Sequence, residues 1–122
     1  MSDFELDHGA TAYVLVRVRT AVDARTAAAL REVIASVFRE GRRFLAVDLT
    51  QGAVFGPQGF GPLLGAVKTC RDRGGELYLV GASPTVVGVL GRDVRGPVEC
   101  FGSRAELDRA LLGRAPAPGA VA

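Results

Sequence analysis

The stretch from Phe44 to Leu64 constrains the fold of this chain more than any other part of the sequence. It opens with an apolar run, Phe44 to Leu49, which is dense enough to predict a buried central strand. A turn rich in glycine and proline follows, Gly52 to Pro62, and a second apolar periodicity begins at Leu63. A strand, a tight loop and a helix in this order place the loop at the carboxyl end of a sheet strand. We therefore expect the functional surface at this loop.

The segment before this stretch has the pattern of a β-hairpin. Phe4 and Leu6 alternate with polar residues, Asp7 to Gly9 signals a turn, and Tyr13 to Val18 alternates again. We expect the turn to leave His8, the single histidine, in solvent, because neither a second histidine nor a cysteine is close in sequence.

Two helices are predicted around the central strand. Asp23 is a favourable N-cap for the first, and Gly41 is a glycine of the kind that follows a helix C-terminus. Apolar residues recur between them at helical spacing, at Ala27, Leu30, Val33, Ile34, Val37 and Phe38. The second helix carries Leu63, Leu64, Val67 and Cys70, and Gly74 and Gly75 end it.

Pro62 restricts where this second helix can begin. Inside a helix a proline costs about 3 kcal/mol, whereas in the first turn it costs little. The helix is therefore expected either to begin near Gly59 to Gly61 or to kink there.

The remaining segments continue the alternation of strands and helices. Leu77 to Val80 predicts another buried strand, and Val98 to Phe101 predicts the last one. Between them, Ser83 and Pro84 are expected to cap and open a short helix that Gly91, and Gly96 with Pro97, break. A capping box from Ser103 to Glu106 opens a final helix.

This order predicts an α/β fold with a mixed, mostly parallel sheet of about five strands packed with four α-helices. The first strand is expected to be antiparallel to the others. We expect residues 1–113 to form a single domain and residues 114–122 to be a disordered tail, because the tail is small and proline-containing.

Composition excludes several classes of function. The chain has 122 residues, a formal charge of +2 and 48% hydrophobic residues, and its arginines are scattered among acids. Without a basic block interleaved with aromatics, nucleic-acid binding is not predicted. No apolar run reaches the length of a membrane span, and no signal-peptide pattern begins the sequence. A cytoplasmic protein without membrane contact is expected.

No constellation of catalytic or metal-binding residues stands out. One histidine and two separated cysteines do not make a zinc site, and no serine lies in a nucleophile elbow. The loop from Gly56 to Pro62 lacks the lysine and hydroxyl that end a phosphate-binding loop. Asp23, Asp48 and Asp72 lie on different segments. The sequence therefore predicts a protein that is not an enzyme and has neither a cofactor nor a metal.

The two cysteines, Cys70 and Cys100, fall on predicted core-facing segments. We interpret them as two small buried hydrophobic residues, which are reduced and react slowly. The alternative is a redox-sensitive pair, which the cytoplasm would not keep oxidised as a structural disulfide.

Several motifs, taken in order, resemble the STAS domain of the anti-sigma-factor antagonist family. Thr20 to Asp23, with Thr26, Ala27 and Leu30 beyond, is similar to the family's G-E-L-D…T-A…L pattern. Val47 to Leu49 resembles the strand before the family's switch loop. Gly75 to Val86 resembles its G-x-L-x-L-x-x-x-S-P-x-V segment. The resemblance covers roughly residues 4–112.

The resemblance implies a bacterial regulator of transcription that binds an anti-sigma factor, often a serine kinase of the histidine-kinase-like ATPase type. In the family the kinase phosphorylates a Ser or Thr at the start of the second helix, in a D-S-[ST]-G motif, and this breaks the complex. The matching residues here are Gly56, Pro57, Gln58 and Gly59. Gln58 has no hydroxyl, and only Gly59 matches the motif.

Two interpretations of Gln58 remain open. Either the switch is lost while the partner surface is kept, or the loop has diverged so far that it binds a different partner or none. Phe60 is either a core anchor or a partly exposed contact. The resemblance implies a partner surface formed by Asp23, Gly56 to Phe60, and Ser83 with Pro84, on a monomer or weak homodimer. The alternative function is a module that binds a small ligand or nucleotide, or that accompanies a transporter.

Overall fold

The structure is a computed structural model, and it describes residues 3–51, 54–94 and 96–114. The predicted tail, apart from Arg114, lies outside the described residues. Arg114 itself forms an ion pair with Glu99.

Five strands form one mixed sheet in the order β1-β2-β3-β4-β5. The strands are β1 Phe4–Asp7, β2 Val14–Val18, β3 Phe44–Asp48, β4 Glu76–Val80 and β5 Glu99–Phe101. β1 pairs antiparallel with β2, and every later pair is parallel. The predicted α/β architecture with an antiparallel first strand is confirmed, and the carboxyl ends of β2, β3 and β4 meet at one edge.

The chain forms four α-helices, as predicted. They are α1 Ala27–Arg39, α2 Phe60–Asp72, α3 Pro84–Asp93 and α4 Arg104–Leu112. A 3-10 turn, Pro57–Gly59, leads into α2. Pro62 is the third residue of α2, where its missing N–H breaks no intrahelical bond. The prediction that this helix begins near Gly59 to Gly61 is therefore confirmed.

Two predictions about helix ends were wrong. Asp23 does not cap α1 directly, because a turn over residues 24–26 separates them and Thr26 is the N-cap. Gly91 does not break α3, which continues to Asp93 and ends before Gly96 and Pro97, the other predicted breakers. A single glycine in a helix costs only about 1 kcal/mol relative to alanine, and burial of Leu90 in the core outweighs that cost.

The sheet separates two hydrophobic clusters of unequal size. The larger one lies between one face and α1, α2 and α3, and it includes Val16, Val47 and Leu79 from the central strands. The smaller one lies under α4 on the other face, where Leu107 packs on Leu15 and its neighbours. The parallel strands β2, β3 and β4 are each followed by one of these three helices. The loops that precede α1, α2 and α3 therefore lie at the same end of the sheet, where these strands end.

A hydrogen-bonded network fastens α4 to its face. The hydroxyl of the fully buried Tyr13 donates to Asp108, and the Nε of Arg104 donates to that hydroxyl at 3.0 Å. Arg104 also pairs with Asp7 at 2.9 Å. Burial raises the pKa of Tyr13, so this network keeps its proton through the neutral range.

The cysteines occupy different environments. Cys70 is buried in the larger cluster, as predicted, and burial raises the pKa of its thiol to about 12. Cys100 is exposed on the edge strand β5, so the prediction that it is buried was wrong. An edge strand has a neighbour on one side only, which leaves this position open. Whether the two form a redox pair stays untested.

We expect Cys100 to react with a maleimide in the native protein while Cys70 reacts only on unfolding. A thiol with a pKa near 12 is almost entirely protonated at pH 8, and burial blocks access as well. Intact-mass spectra over time should show one adduct before a second appears, and Cys100→Ser should remove the fast one. Equal rates would contradict this assignment.

Candidate functional site

A short stretch of parallel pairing shapes the site. Residues Val22 and Phe55 form an isolated bridge between the β2–α1 loop and the β3–α2 loop. The N–H of Val22 donates to the carbonyl of Val54 at 2.9 Å, and the N–H of Gly56 donates to the carbonyl of Val22 at 2.8 Å. The bridge therefore brings the neighbourhood of Asp23 against Gly56, as the resemblance implies.

Gly59 closes the loop against this bridge. Its N–H donates to the carbonyl of Gly56 at 2.9 Å, within the 3-10 turn. A Cβ placed on Gly59 would lie 2.6 Å from the carbonyl oxygen of Val22 and 3.0 Å from the ring of Phe55. No larger side chain fits without moving the loop, which explains on physical grounds why a glycine stands here.

Asp23 organises the turn that leads into α1. Its Oδ1 accepts hydrogen bonds from the N–H of Arg25 at 2.9 Å and of Thr26 at 3.3 Å. The Thr26 hydroxyl in turn accepts from the N–H of Asp23. The bond from the Arg25 N–H is the main reason that the pKa of Asp23 is lowered, so the carboxylate is ionised at neutral pH.

A second carboxylate organises the start of the β3–α2 loop. Asp48 is buried at the end of β3, and its Oδ1 accepts from both the N–H and the hydroxyl of Thr50, at 2.8 and 2.6 Å. Its other oxygen lies 3.5 Å from the Nε of Arg17. This ion pair is not visible in the sequence, which does not show that β2 and β3 are neighbours.

Gln58 lies exposed on the 3-10 turn, between the exposed Pro57 and the buried Gly59. Gly56 precedes the turn in extended conformation, with φ −78° and ψ 172°. The turn thus presents a neutral amide to solvent.

An open cleft of about 350 Å³ lies between this loop and the start of α3. Apolar side chains and two hydroxyls line it, from Leu49, Val54, Phe55, Phe60, Gly81, Ser83, Thr85 and Val86. Phe55 and Phe60 form a tilted ring pair with centroids 5.7 Å apart. Phe60 is half-buried and packs on the larger cluster as well, so it serves as a core anchor and leaves part of its ring exposed, and its contact with a partner stays a prediction.

Ser83 caps α3 as predicted, since its Oγ accepts from the N–H of Val86 at 3.3 Å. Pro84 follows as the first helical residue and is exposed. Ser83 and Phe60 line the same cleft, so the structure brings together the two ends of the predicted surface. Pro84 lies next to the cleft and is not part of its lining.

Sequence reasoning missed Val54 and Phe55. Val54 is 69% exposed although it is a large apolar side chain. The signal was available, because an apolar pair inside a glycine-rich loop is atypical of a solvated turn. The sequence does name Thr50, Ser83 and Thr85 as the hydroxyls nearest to Gln58, and Ser83 and Thr85 line the cleft.

Other kinds of site have little support. Within the described ranges, no group of three histidine, cysteine or acidic side chains is arranged to hold a metal ion. The same part of the chain contains no helix with the length and apolar character needed to cross a bilayer.

Comparison with known proteins gives a match to one domain family and to several solved structures. The family model for the STAS domain matches residues 4–92. The anti-sigma factor antagonist SpoIIAA in its unphosphorylated form has a similar structure, with a TM-score of 0.75 and 20% identity over 91% of this chain and 99% of that one. SpoIIAA of Bacillus in its phosphorylated form gives 0.71 and 22%, over 88% of this chain and 98% of that one.

A putative anti-sigma factor antagonist from Thermotoga maritima gives a TM-score of 0.76 at 14% identity, over 89% of this chain and 94% of that one. At these identities the likeness shows the fold alone. No curated protein has a significantly similar sequence.

We expect Gly59→Ala to destabilise the protein by about 1–3 kcal/mol, since the new methyl group would overlap the carbonyl of Val22. Gly65→Ala is the matched control, because a Cβ there meets no atom within 4 Å. It should stabilise α2 by up to about 1 kcal/mol. Urea denaturation measures both changes. Equal stability of the two variants would contradict the close packing described for Gly59.

Proposed function

Because this chain belongs to the STAS domain family, we propose that it is a non-catalytic binding module for an anti-sigma factor. We propose further that its complex is not switched by phosphorylation at the family's usual position. The partner class we infer is the serine kinase of the histidine-kinase-like ATPase type. A cytoplasmic location, a monomeric or weakly dimeric state, and the absence of nucleic-acid or membrane partners stay predictions.

The observation that carries this proposal is the exposed Gln58 beside an apolar cleft. A phosphoryl group would bring about −1.5 to −2 charges and disrupt an interface by repulsion and desolvation. The amide of Gln58 cannot accept that group, and it is neutral, so it does not mimic it either. The loop keeps a defined shape through Gly59 and the Val22 bridge. The expected behaviour is that of a permanently unphosphorylated form.

The apolar and aromatic side chains of the cleft are typical of a protein–protein interface. Val54 is the most exposed apolar side chain at this end, and the Phe55–Phe60 pair lies next to it. Aromatic and aliphatic anchors in a partly closed pocket contribute most of the energy in many interfaces. We infer that an apolar side chain of the partner enters the cleft.

The hydroxyl groups near Gln58 differ in how readily they could accept a phosphate in its place. Thr50 donates to Asp48, and Ser83 is occupied as the cap of α3. Thr85 is exposed, and among the described residues its hydroxyl has no hydrogen-bond partner. A switch that had moved would therefore be sought first at Thr85.

A small-ligand module is the second candidate, because a cleft of about 350 Å³ falls within the range of small-molecule sites. Its lining contains two hydroxyls and no charged side chain. An apolar ligand suits that lining better than a nucleotide does. A rise in melting temperature with a small apolar ligand, or with ATP or GTP, but not with a purified anti-sigma factor, would favour this candidate.

Incubation with ATP and each purified anti-sigma kinase of the source organism should leave the intact mass unchanged. One added phosphate located between Thr50 and Phe60, or on Thr85, would show that the switch has moved. Gln58→Ser tests the converse. It should gain a phosphate if the loop, with Gly56 and Pro62, still docks in the kinase.

Val54→Asp should weaken binding of the same anti-sigma factors at least tenfold, because it places a charge at the mouth of the apolar cleft. Leu112→Asp is the matched control, since Leu112 is 87% exposed on α4, on the other face of the sheet. Calorimetry measures both affinities. An equal loss of affinity in the two variants, or no loss in either, would reject the cleft as the interface.

A further inference from the structure

Two basic side chains without ion-pair partners lie beside the β3–α2 loop. Arg25 stands in the turn that Asp23 organises, and Arg31 lies exposed on α1. The Nη2 of Arg31 lies 3.7 Å from the position that a Cβ of Gly61 would occupy, so its guanidinium reaches over the first turn of α2. Among the described residues, neither guanidinium has a carboxylate within 4.0 Å.

The acidic side chain beside these arginines is Asp23. One of its oxygens is bound by the N–H groups of Arg25 and Thr26, and its ionised carboxylate also attracts the guanidinium of Arg25. The position that carries an acid in the family motif is Gly56, and Gln58 is neutral. Farther along α2, Lys68 is exposed and also forms no ion pair with any residue that the structure describes. Arg31 and Lys68 thus add positive charge along the outer side of α2.

Several arginines of this chain are engaged by the fold. Arg73 donates to the carbonyl of Phe38 at 2.9 Å and stacks on the ring of that residue, at the C-terminus of α1. Arg17, Arg39 and Arg104 pair with carboxylates. Among the described residues Arg31 has no such partner, and its guanidinium lies beside the first turn of α2.

The outer side of α2 leaves room for close approach. Gly61 and Gly65 lie four residues apart, about 6 Å along the helix, and both are exposed. No atom lies within 4 Å of a Cβ placed on Gly65. A partner helix could therefore contact the backbone of α2 between Arg31 and Lys68.

We propose that the partner presents a carboxylate-bearing helix to this basic surface, with its acidic residues facing Arg25 and Arg31. This inference rests on the proposed function and specifies the charge of the partner. An acidic partner is attracted by these exposed cations, whereas a basic one is repelled, so the surface selects by charge and speeds association.

The probe for the test is a helical 15-residue peptide with glutamates along one face, and its counterpart has lysines in their place. Nitrogen–proton spectra of the ¹⁵N-labelled full chain resolve the amides of Gly61 and Gly65. The glutamate peptide should shift those two signals with saturation, and the lysine peptide should not. Arg31→Glu should weaken this binding at least about fivefold.

Arg109→Glu is the matched control, because Arg109 is exposed on α4, on the opposite face. It should leave the titration unchanged. Shifts centred on Gly41 and Gly74, near Arg73, would overturn the proposal, as would equal responses to the two peptides or no response to either.

Binding to purified anti-sigma factors separates this inference from the proposed function. Loss of binding in Val54→Asp but not in the double variant Arg25→Glu/Arg31→Glu would overturn the inference and keep the function. Peptide binding as described, without binding of any anti-sigma factor, would reject the function while the charge preference of the surface stands.

Discussion

The arrangement of the site depends on two backbone hydrogen bonds between Val22 and the β3–α2 loop. They continue the parallel pairing of β2 and β3 beyond the ends of these strands, and they hold the β2–α1 loop against the β3–α2 loop. Gly59 makes this approach possible, because any Cβ there would collide with the carbonyl of Val22. Backbone contacts of this kind tolerate large changes in side chains, so the placement of residues 54–59 does not depend on the side chain at Gln58.

Much of the fold could be predicted from the sequence because its signals are local. Buried strands, helix caps at Ser83 and Ser103, and the glycines after α1 and α2 all appeared where expected. One source of error is that tertiary neighbours are invisible in a single sequence. Cys100 is exposed because β5 is an edge strand, and the ion pair between Asp48 and Arg17 depends on the adjacent strand.

The site was predictable in part for the same reason. Asp23, the loop and Ser83 were found through the resemblance, and the structure places them at one end of the sheet. Val54 and Phe55 were missed although an apolar pair in a glycine-rich loop is itself a signal, and their place in a cleft depends on how α3 faces the loop. The unpaired guanidinium of Arg31 was hidden, since a sequence does not show which arginines find a carboxylate in the fold.

The neutral amide of Gln58 has a consequence for regulation under the proposed function. A complex without a covalent switch behaves as a stoichiometric buffer, in which free partner stays low until its amount exceeds that of this chain. The response then depends on a ratio of two protein concentrations and is sharpest where they are equal. Regulation would then act through the rates at which the two proteins are synthesised and degraded, on the time scale of cell growth rather than of a kinase reaction.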